Sequence, residues 1–220
     1  MCVLVVKNDK DGKSLRAKSR IIVLGNFKDH LYQKSQRYNP VLKYSSLRLL
    51  SDKASEDKRI LQQGYWKNEF WNATLTDDEV PVIRPTIGDL DLQEYEYWLL
   101  KKTLYGLRRS PHHWYNIIKG ILLKTGINTS PYGPCLIYGV TENPSYPETI
   151  SVVQPQLQVG LYFEDFVFYS SDPTQEALFK KLLQEHTQVD FMGYVEYLLF
   201  TSFTCLKKKY RKISVHLYQS

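Results

Sequence analysis

The sequence predicts a mixed α+β domain, because strand-like and helix-like segments alternate along the chain without a repeat or a clear linker. Residues 159–169 alternate in the manner of β-strands around a central acidic pair. By contrast, Trp114, Ile118 and Leu122 recur at the spacing of one helix face. The chain has 220 residues, which is enough to bury a sizeable core. We therefore expect one α+β domain with interleaved subregions.

A hairpin and a helix are predicted near the start of the chain. Two apolar runs, 3–6 and 20–24, flank an Asp-Gly pair, which is a typical hairpin turn. Ser45 and Ser46 are candidate N-caps for a helix that runs towards Lys58. The other elements predicted in this half are a strand at 60–66, a polar turn at 77–79, a proline-containing edge strand at 80–83 and an aromatic-rich strand at 95–100.

Two helices are predicted in the second half of the chain from the prolines in their first turns. Pro111 suits a helix start, because proline there loses no intrahelical hydrogen bond. Asp172 and Pro173 begin another helix, which is predicted to run through His186. The remaining predictions are strands at 135–140 and 194–203, a basic run at 207–212, and an inward face of the last helix formed by Ala177, Leu178, Leu182 and Leu183.

The composition is typical of a globular protein and argues against several functional classes. Apolar residues make up 43% and charged residues 24%, and the net charge of +6 suits a phosphate-rich partner. The three cysteines form no CxxC pair, which argues against a disulfide framework or a zinc site and for a reducing compartment. We recognise no signal peptide and no membrane-spanning apolar run, so we expect a soluble, intracellular protein.

Two adjacent acids, Glu164 and Asp165, follow the apolar-aromatic run 161–163. Nucleotidyl transfer uses two divalent ions that bind the attacking and leaving oxygens, and Mg²⁺ prefers oxygen ligands in octahedral geometry. A hairpin tip with adjacent acids, beside a strand that carries another acid, supplies such ligands. On its own, however, a Glu-Asp pair is more often a solvated turn, so both interpretations stay open at this point.

Several motifs occur in the order found in the reverse transcriptase of copia-like LTR retrotransposon polyproteins, and the chain resembles that family. The family's hairpin, Tyr-x-Asp-Asp, corresponds to Tyr162-Phe-Glu-Asp165, and its strand motif, Gln-Gly-Asp-x-Lys-Asn-Ala-Phe, corresponds to Gln63–Phe70. The block Leu104–Trp114 matches the family's template-gripping segment. Similar segments lie at 18–25, 38–50, 130–136 and 196–203, so the resemblance extends over nearly the whole chain.

The resemblance implies a right-hand polymerase fold of fingers and palm, with a central antiparallel palm sheet packed on helices. The implied partners are an RNA template, a DNA primer and dNTPs, with no membrane, and the implied cofactors are Mg²⁺ ions. Cytoplasm is the expected location, and no oligomeric state follows from the sequence. The implied subregions are fingers at about 1–58 and 85–103, palm at about 59–84 and 104–205, and the truncated start of a thumb at about 206–220.

The resemblance also implies nucleotide-binding and template-binding residues. The lysine and arginines among them would contact the triphosphate or the template backbone. The phenylalanine would stand under the incoming sugar and block a 2′-hydroxyl, and the glycine would allow the backbone to approach template and nucleotide closely. Without the ordered motifs, each would be interpreted as a surface charge or a core residue. They are Lys18, Arg20, Phe70, Tyr105, Gly106, Arg108 and Arg109.

Two departures from the family's pattern fall in the metal site. Tyr65 stands where the family has its strand aspartate, and a phenol, with a reference pKa of about 10, is neutral at physiological pH and a poor Mg²⁺ ligand. Glu164 lengthens the hairpin acid by one methylene, and a misplacement of about 1 Å can cost on the order of a hundredfold in rate. Asp165 matches the family. We predict that the polymerase is inactive or severely impaired.

At four further positions the chain has larger residues than the family, and these leave alternatives to a defective polymerase open. Trp66, Glu69, Trp71 and Phe200 replace smaller residues, and each ring predicts overpacking worth about 1–3 kcal/mol if it is buried. The alternatives to a defective polymerase domain are an inactive nucleic-acid-binding remnant and a non-functional translated relic with no retained activity.

Overall fold

The chain folds into two units whose segments interleave along the sequence. In the computed structural model, the first unit comprises Met1–Asn39 and Asn68–Ile117, and the second comprises Pro40–Lys67 and Ile118–Ser220. The structure describes residues 2–8, 12–25, 39–67, 73–75, 81–84, 96–123, 127–131, 133–139, 156–199, 201–207 and 213–219.

Helices and strands are mixed in these residues, as the sequence predicts. The helices are α1 (Tyr44–Glu56), α2 (Ser110–Leu123) and α3 (Pro173–His186). The strands are β1 (Cys2–Asn8), β2 (Ser14–Ile21), β3 (Gln62–Trp66), β4 (Val82–Ile83), β5 (Trp98–Leu99), β6 (Ile127–Ser130), β7 (Gly133–Gly139), β8 (Leu157–Tyr162), β9 (Asp165–Ser170), β10 (Val189–Tyr194), β11 (Tyr197–Leu198), β12 (Thr201–Lys207) and β13 (Ile213–Gln219).

The first unit contains two short antiparallel pairs. β1 pairs with β2, which confirms the predicted hairpin, although β2 begins at Ser14 and ends at Ile21. β4 pairs with β5, and both strands are shorter than the sequence suggests. The predicted turn at 77–79 lies outside the described residues. Pro111 lies in the first turn of α2, as predicted.

A six-stranded antiparallel sheet, in the order β10-β3-β9-β8-β7-β6, organises the second unit. β3 and the β8–β9 hairpin match the predicted strands. The single strand predicted at 194–203 is wrong, because the backbone turns at Leu199, which has a φ of 53°. That region instead contributes the end of β10 and the strands β11 and β12, and β12 pairs with β13 in a separate sheet.

Helices pack on both faces of the large sheet. Leu50 of α1 lies over Gly160 on one face, and Phe179 of α3 packs against Phe168 on the other, with ring centroids 5.1 Å apart. The predicted serine caps of α1 are wrong, since the helix begins at Tyr44 and its N-cap is Lys43, which makes no side-chain cap. None of the described helices is long and apolar enough to cross a membrane.

The start of α3 is as predicted, but its inward face is only partly so. The Asp172 carboxylate caps the helix by accepting a hydrogen bond from the Thr174 backbone N–H at 2.8 Å. Phe179 and Leu183 are buried, whereas Leu178, which was predicted to face inward, is 57% exposed. The helix is rotated because the large Phe179 ring, one turn before Leu183, fits against the aromatic side chains of the sheet.

Five aromatic rings, which we call the aromatic cluster, form the core between β3, β9, β10 and α3. Phe166 is fully buried at its centre, and its ring centroid lies 4.2 Å from that of Trp66. An added Cβ at Gly64 would lie 2.1 Å from the Phe166 ring, so only glycine lets this ring lie against β3. Glu69, Trp71 and Phe200 lie outside the described residues. The members of the cluster are Trp66, Phe166, Phe168, Phe179 and Phe191.

Gly64→Ala should destabilise the second unit by about 1–3 kcal/mol, because the Phe166 ring is enclosed by the aromatic cluster and cannot move away from a methyl group. Urea unfolding followed by circular dichroism measures the change. Gly133→Ala is the matched control, since an added Cβ at that strand position has no neighbour within 4 Å. Equal losses in both variants would contradict this account of the core.

Candidate active site

The acid pair lies at the two-residue turn between β8 and β9. Tyr162 pairs with Asp165 across the ladder, which leaves Phe163 and Glu164 at the tip. Phe163 has a φ of 49°, a left-handed conformation that is unfavourable for a bulky side chain. Its ring makes an edge contact with Tyr162, with centroids 5.0 Å apart. The turn thus holds Glu164 at the tip and Asp165 at the first position of β9.

Strand β3 brings Tyr65 to the same place. Tyr65 is the direct cross-strand partner of Asp165, and the Trp66 backbone N–H donates to the Glu164 carbonyl at 2.8 Å. Side chains of directly opposed residues lie on the same face of a sheet. The structure therefore brings together the three positions that the sequence assigns to the metal site.

Hydrogen bonds connect β3 to both acids. The Tyr65 hydroxyl donates to Glu164 Oε2 at 3.2 Å, and the Gln63 side-chain amide donates to Asp165 Oδ1 at 3.3 Å. Gln63 is 8% exposed, so its amide is largely shielded from water. Gln63 was not among the predicted site residues. Its position two residues before Tyr65 was the available signal, because residues two apart on a strand share a face.

Burial makes Asp165 harder to ionise than an exposed aspartate. Loss of water raises the pKa of its carboxyl above the ordinary value of 3.8, the hydrogen bond from Gln63 opposes this rise, and the neighbouring Glu164 charge adds to it. An ionised Asp165 is therefore less favourable in the folded chain than in the unfolded chain.

The donor set present does not fit the pair of divalent ions that the family implies. Among the described residues at the hairpin tip, the carboxylates are those of the adjacent Glu164 and Asp165, and one oxygen of each already accepts a hydrogen bond from β3. Asp190, which pairs with Tyr65 from β10, forms an ion pair with Lys67 at 2.7 Å. Tyr65 offers a hydroxyl that donates to Glu164, where a metal ligand would present a lone pair. Among the described residues, no group of three or more His, Cys, Asp or Glu side chains is arranged to hold a metal.

Three of the predicted nucleotide-binding and template-binding residues lie together in the first unit. The Arg20 guanidinium lies 5.6 Å from the centroid of the Tyr105 ring, and the Val23 backbone N–H donates to the Tyr105 carbonyl at 2.8 Å. Lys18 and Arg20 are two apart on β2 and so share one face of the hairpin. Their contacts with a nucleotide or template stay predictions.

Gly106 is required by packing within the chain. Its φ is 89°, and an added Cβ would lie 2.0 Å from the Val23 carbonyl oxygen. This contact explains the glycine without a ligand, and close approach to a template remains a prediction. Arg108 is exposed and Arg109 is half-buried just before α2, whereas Phe70 lies outside the described residues.

Comparison with known proteins gives matches along most of the chain. The profile of the family described as "Reverse transcriptase (RNA-dependent DNA polymerase)" matches residues 2–219. "Retrovirus-related Pol polyprotein from transposon RE1" and "Retrovirus-related Pol polyprotein from transposon RE2", both of Arabidopsis thaliana, are 30% and 28% identical over 128 residues, which is 58% of this chain and 9% of each relative. These matches confirm the resemblance derived from the motifs.

A third relative covers more of the chain at lower identity. "Retrovirus-related Pol polyprotein from transposon TNT 1-94" of Nicotiana tabacum is 24% identical over 197 residues, which is 84% of this chain and 15% of the relative. The chain therefore spans between 9% and 15% of the length of these three relatives. No solved structure matches it.

Asp165→Asn should stabilise the folded chain at about pH 7, because the folded-state pKa of Asp165 is raised and its ionisation disfavours folding. The gain is full above the folded-state pKa and disappears as the pH falls below the ordinary value of 3.8, because the carboxyl is then protonated in both states. Urea midpoints of both chains at about pH 3 and about pH 7 measure it. A loss of stability at neutral pH would contradict this assignment.

Proposed function

The chain belongs to the reverse transcriptase (RNA-dependent DNA polymerase) family, and on that premise we propose that it is a polymerase domain of a copia-like retrotransposon polyprotein that has lost metal-dependent nucleotidyl transfer. The observation that carries this proposal is the hydrogen bond from Tyr65 to Glu164, at the position where the family has its strand aspartate. A hydroxyl that donates a hydrogen bond to Glu164 replaces a carboxylate that would share a cation with it.

The smaller number of carboxylates supports the loss of catalysis. Two carboxylates, those of Glu164 and Asp165, remain at the positions where the family has three. Divalent ions in such sites stabilise the charge that develops on the phosphoryl group and generate the nucleophile. Since the residues present do not fit a pair of ions, we assign them no transfer step. Weak binding of a single Mg²⁺ by Glu164 and Asp165 is the most that this donor set supports.

The subregions of the fold form part of the same proposal. We assign the β1–β2 hairpin and α1 to the fingers, within about 1–58 and 85–103. The six-stranded sheet with α2 and α3 is assigned to the palm, within about 59–84 and 104–205. The segment from about 206 to 220 would begin a thumb. The antiparallel order of the large sheet and the packing of α3 on one of its faces support the assignment to the palm.

Binding of nucleic acid without catalysis is the second candidate function. The observation that favours it is the packing of the Arg20 guanidinium over Tyr105, which holds one cation of β2 beside the Tyr105-Gly106 loop independently of the altered acids. The net charge of +6 favours the same partner. Contacts to phosphate carry no sequence information, so such binding would be sequence-independent.

Primer extension on an RNA template, with Mg²⁺ or Mn²⁺, tests the loss of catalysis. The unmodified chain should extend the primer at least about a hundredfold more slowly than the Tyr65→Asp/Glu164→Asp double variant, because the ligands of the variant regain their number and reach. Adding Asp165→Ala to the double variant should abolish the extension. Extension by the unmodified chain at the rate of the double variant, or no extension by either, would contradict the proposal that these acids are the lesion.

Salt titration of binding to single-stranded RNA tests the second candidate. The logarithm of the binding constant should fall linearly with the logarithm of the salt concentration, and Lys18→Ala should reduce the slope by about one for the lost phosphate contact. The control is Lys181→Ala, which removes the same charge from an exposed position on α3. Equal effects of the two variants would show that the charge of β2 has no special role.

A further inference from the structure

We propose that Tyr65 and Glu164 are a compensating pair, in which the phenol hydroxyl takes the place of a cation as the electropositive partner of the hairpin acid. The inference rests on the proposed function in one respect only, namely that both positions are altered metal-site aspartates. The two altered residues contact each other directly, since the Tyr65 hydroxyl lies 3.2 Å from Glu164 Oε2.

Two carboxylates at a hairpin tip need electropositive partners when no cation lies between them. Strand β3 supplies a separate donor to each acid, Tyr65 to Glu164 and Gln63 to Asp165. Both donors lie on one face of β3, because they are two residues apart. The face that would present a third carboxylate to metal ions therefore presents two neutral hydrogen-bond donors instead.

The length of the Glu164 side chain is what allows the contact. A distance of 3.2 Å is already long for an O–H···O hydrogen bond. An aspartate would shorten the side chain by about 1.5 Å, one carbon–carbon bond, and take the carboxylate out of reach. Conversely, an aspartate at position 65 would place a third carboxylate beside Glu164 and Asp165. Tyrosine at position 65 and glutamate at position 164 are therefore favourable together, and either one alone is unfavourable.

A double-mutant cycle measured by urea unfolding in the presence of a chelator tests the pair. Tyr65→Phe should raise the unfolding equilibrium constant of the unmodified chain about tenfold, because a hydrogen bond to a charged acceptor is lost. In the Glu164→Asp background, the same change should alter the constant by less than about twofold. Equal effects of Tyr65→Phe in the two backgrounds would overturn the proposal.

Tyr162→Phe is the matched control. This tyrosine pairs with Asp165 on the neighbouring strand, and the described residues provide no hydrogen bond for its hydroxyl. Loss of the Tyr162 hydroxyl should leave the unfolding equilibrium constant unchanged, both in the unmodified chain and in the Glu164→Asp background. A cost equal to that of Tyr65→Phe would show that any hydroxyl in this region stabilises the chain, which would also overturn the pairing.

Divalent cations give a second, independent readout. Addition of Mg²⁺ should leave the thermal midpoint of the unmodified chain unchanged and should raise that of the Tyr65→Asp/Glu164→Asp variant, in which three carboxylates lie together. Equal shifts in both chains would overturn the inference. Primer extension separates the two proposals. Extension by the unmodified chain would refute the proposed loss of catalysis and leave the double-mutant cycle valid. Absence of coupling in that cycle would refute only the pairing of Tyr65 with Glu164.

Discussion

The contact between the Phe166 ring and the backbone of Gly64 determines where the rest of the second unit lies. These residues are cross-strand partners, so the contact sets the register of β3 against β9. Because successive side chains alternate between faces, the register that buries Phe166 places Tyr65 and Asp165 on the opposite face. A slip by one residue would turn the acid towards the aromatic cluster. One strand register therefore determines both the core on one face of the sheet and the candidate site on the other.

The altered site has a physical cost that its neighbours reduce. Carboxylates crowd together in metal sites because a cation offsets both their repulsion and their loss of water. In this chain, that task falls to neutral donors on β3, which satisfy one oxygen of each acid but supply no positive charge. Burial and the neighbouring Glu164 charge still raise the pKa of Asp165, so these donors offset only part of the cost. The fold tolerates the site because the aromatic cluster stabilises β3 and β9 from the opposite face of the sheet.

Local patterns in the sequence predicted the elements better than they predicted contacts. The apolar runs and turn residues found β3, the acidic hairpin and the start of α3, and the ordered motifs found the family. The inward face of α3 was missed because Leu178 is as apolar as Leu183, and only the rings of the sheet select between them. The Gln63 and Tyr65 hydrogen bonds were missed because they join residues about a hundred positions apart, and no local period encodes such pairs.

The position of β3 has a consequence for how the chain acquires its structure. This strand lies between β9 and β10, which follow it in the sequence by roughly a hundred residues. During translation, both edges of β3 lack their partner strands until β9 and β10 have been synthesised. Closing so long a loop is entropically unfavourable and slow, and unpaired strand edges invite association with other chains. Self-association through the edges of β3 is therefore favoured in the interval before β9 and β10 pair with it.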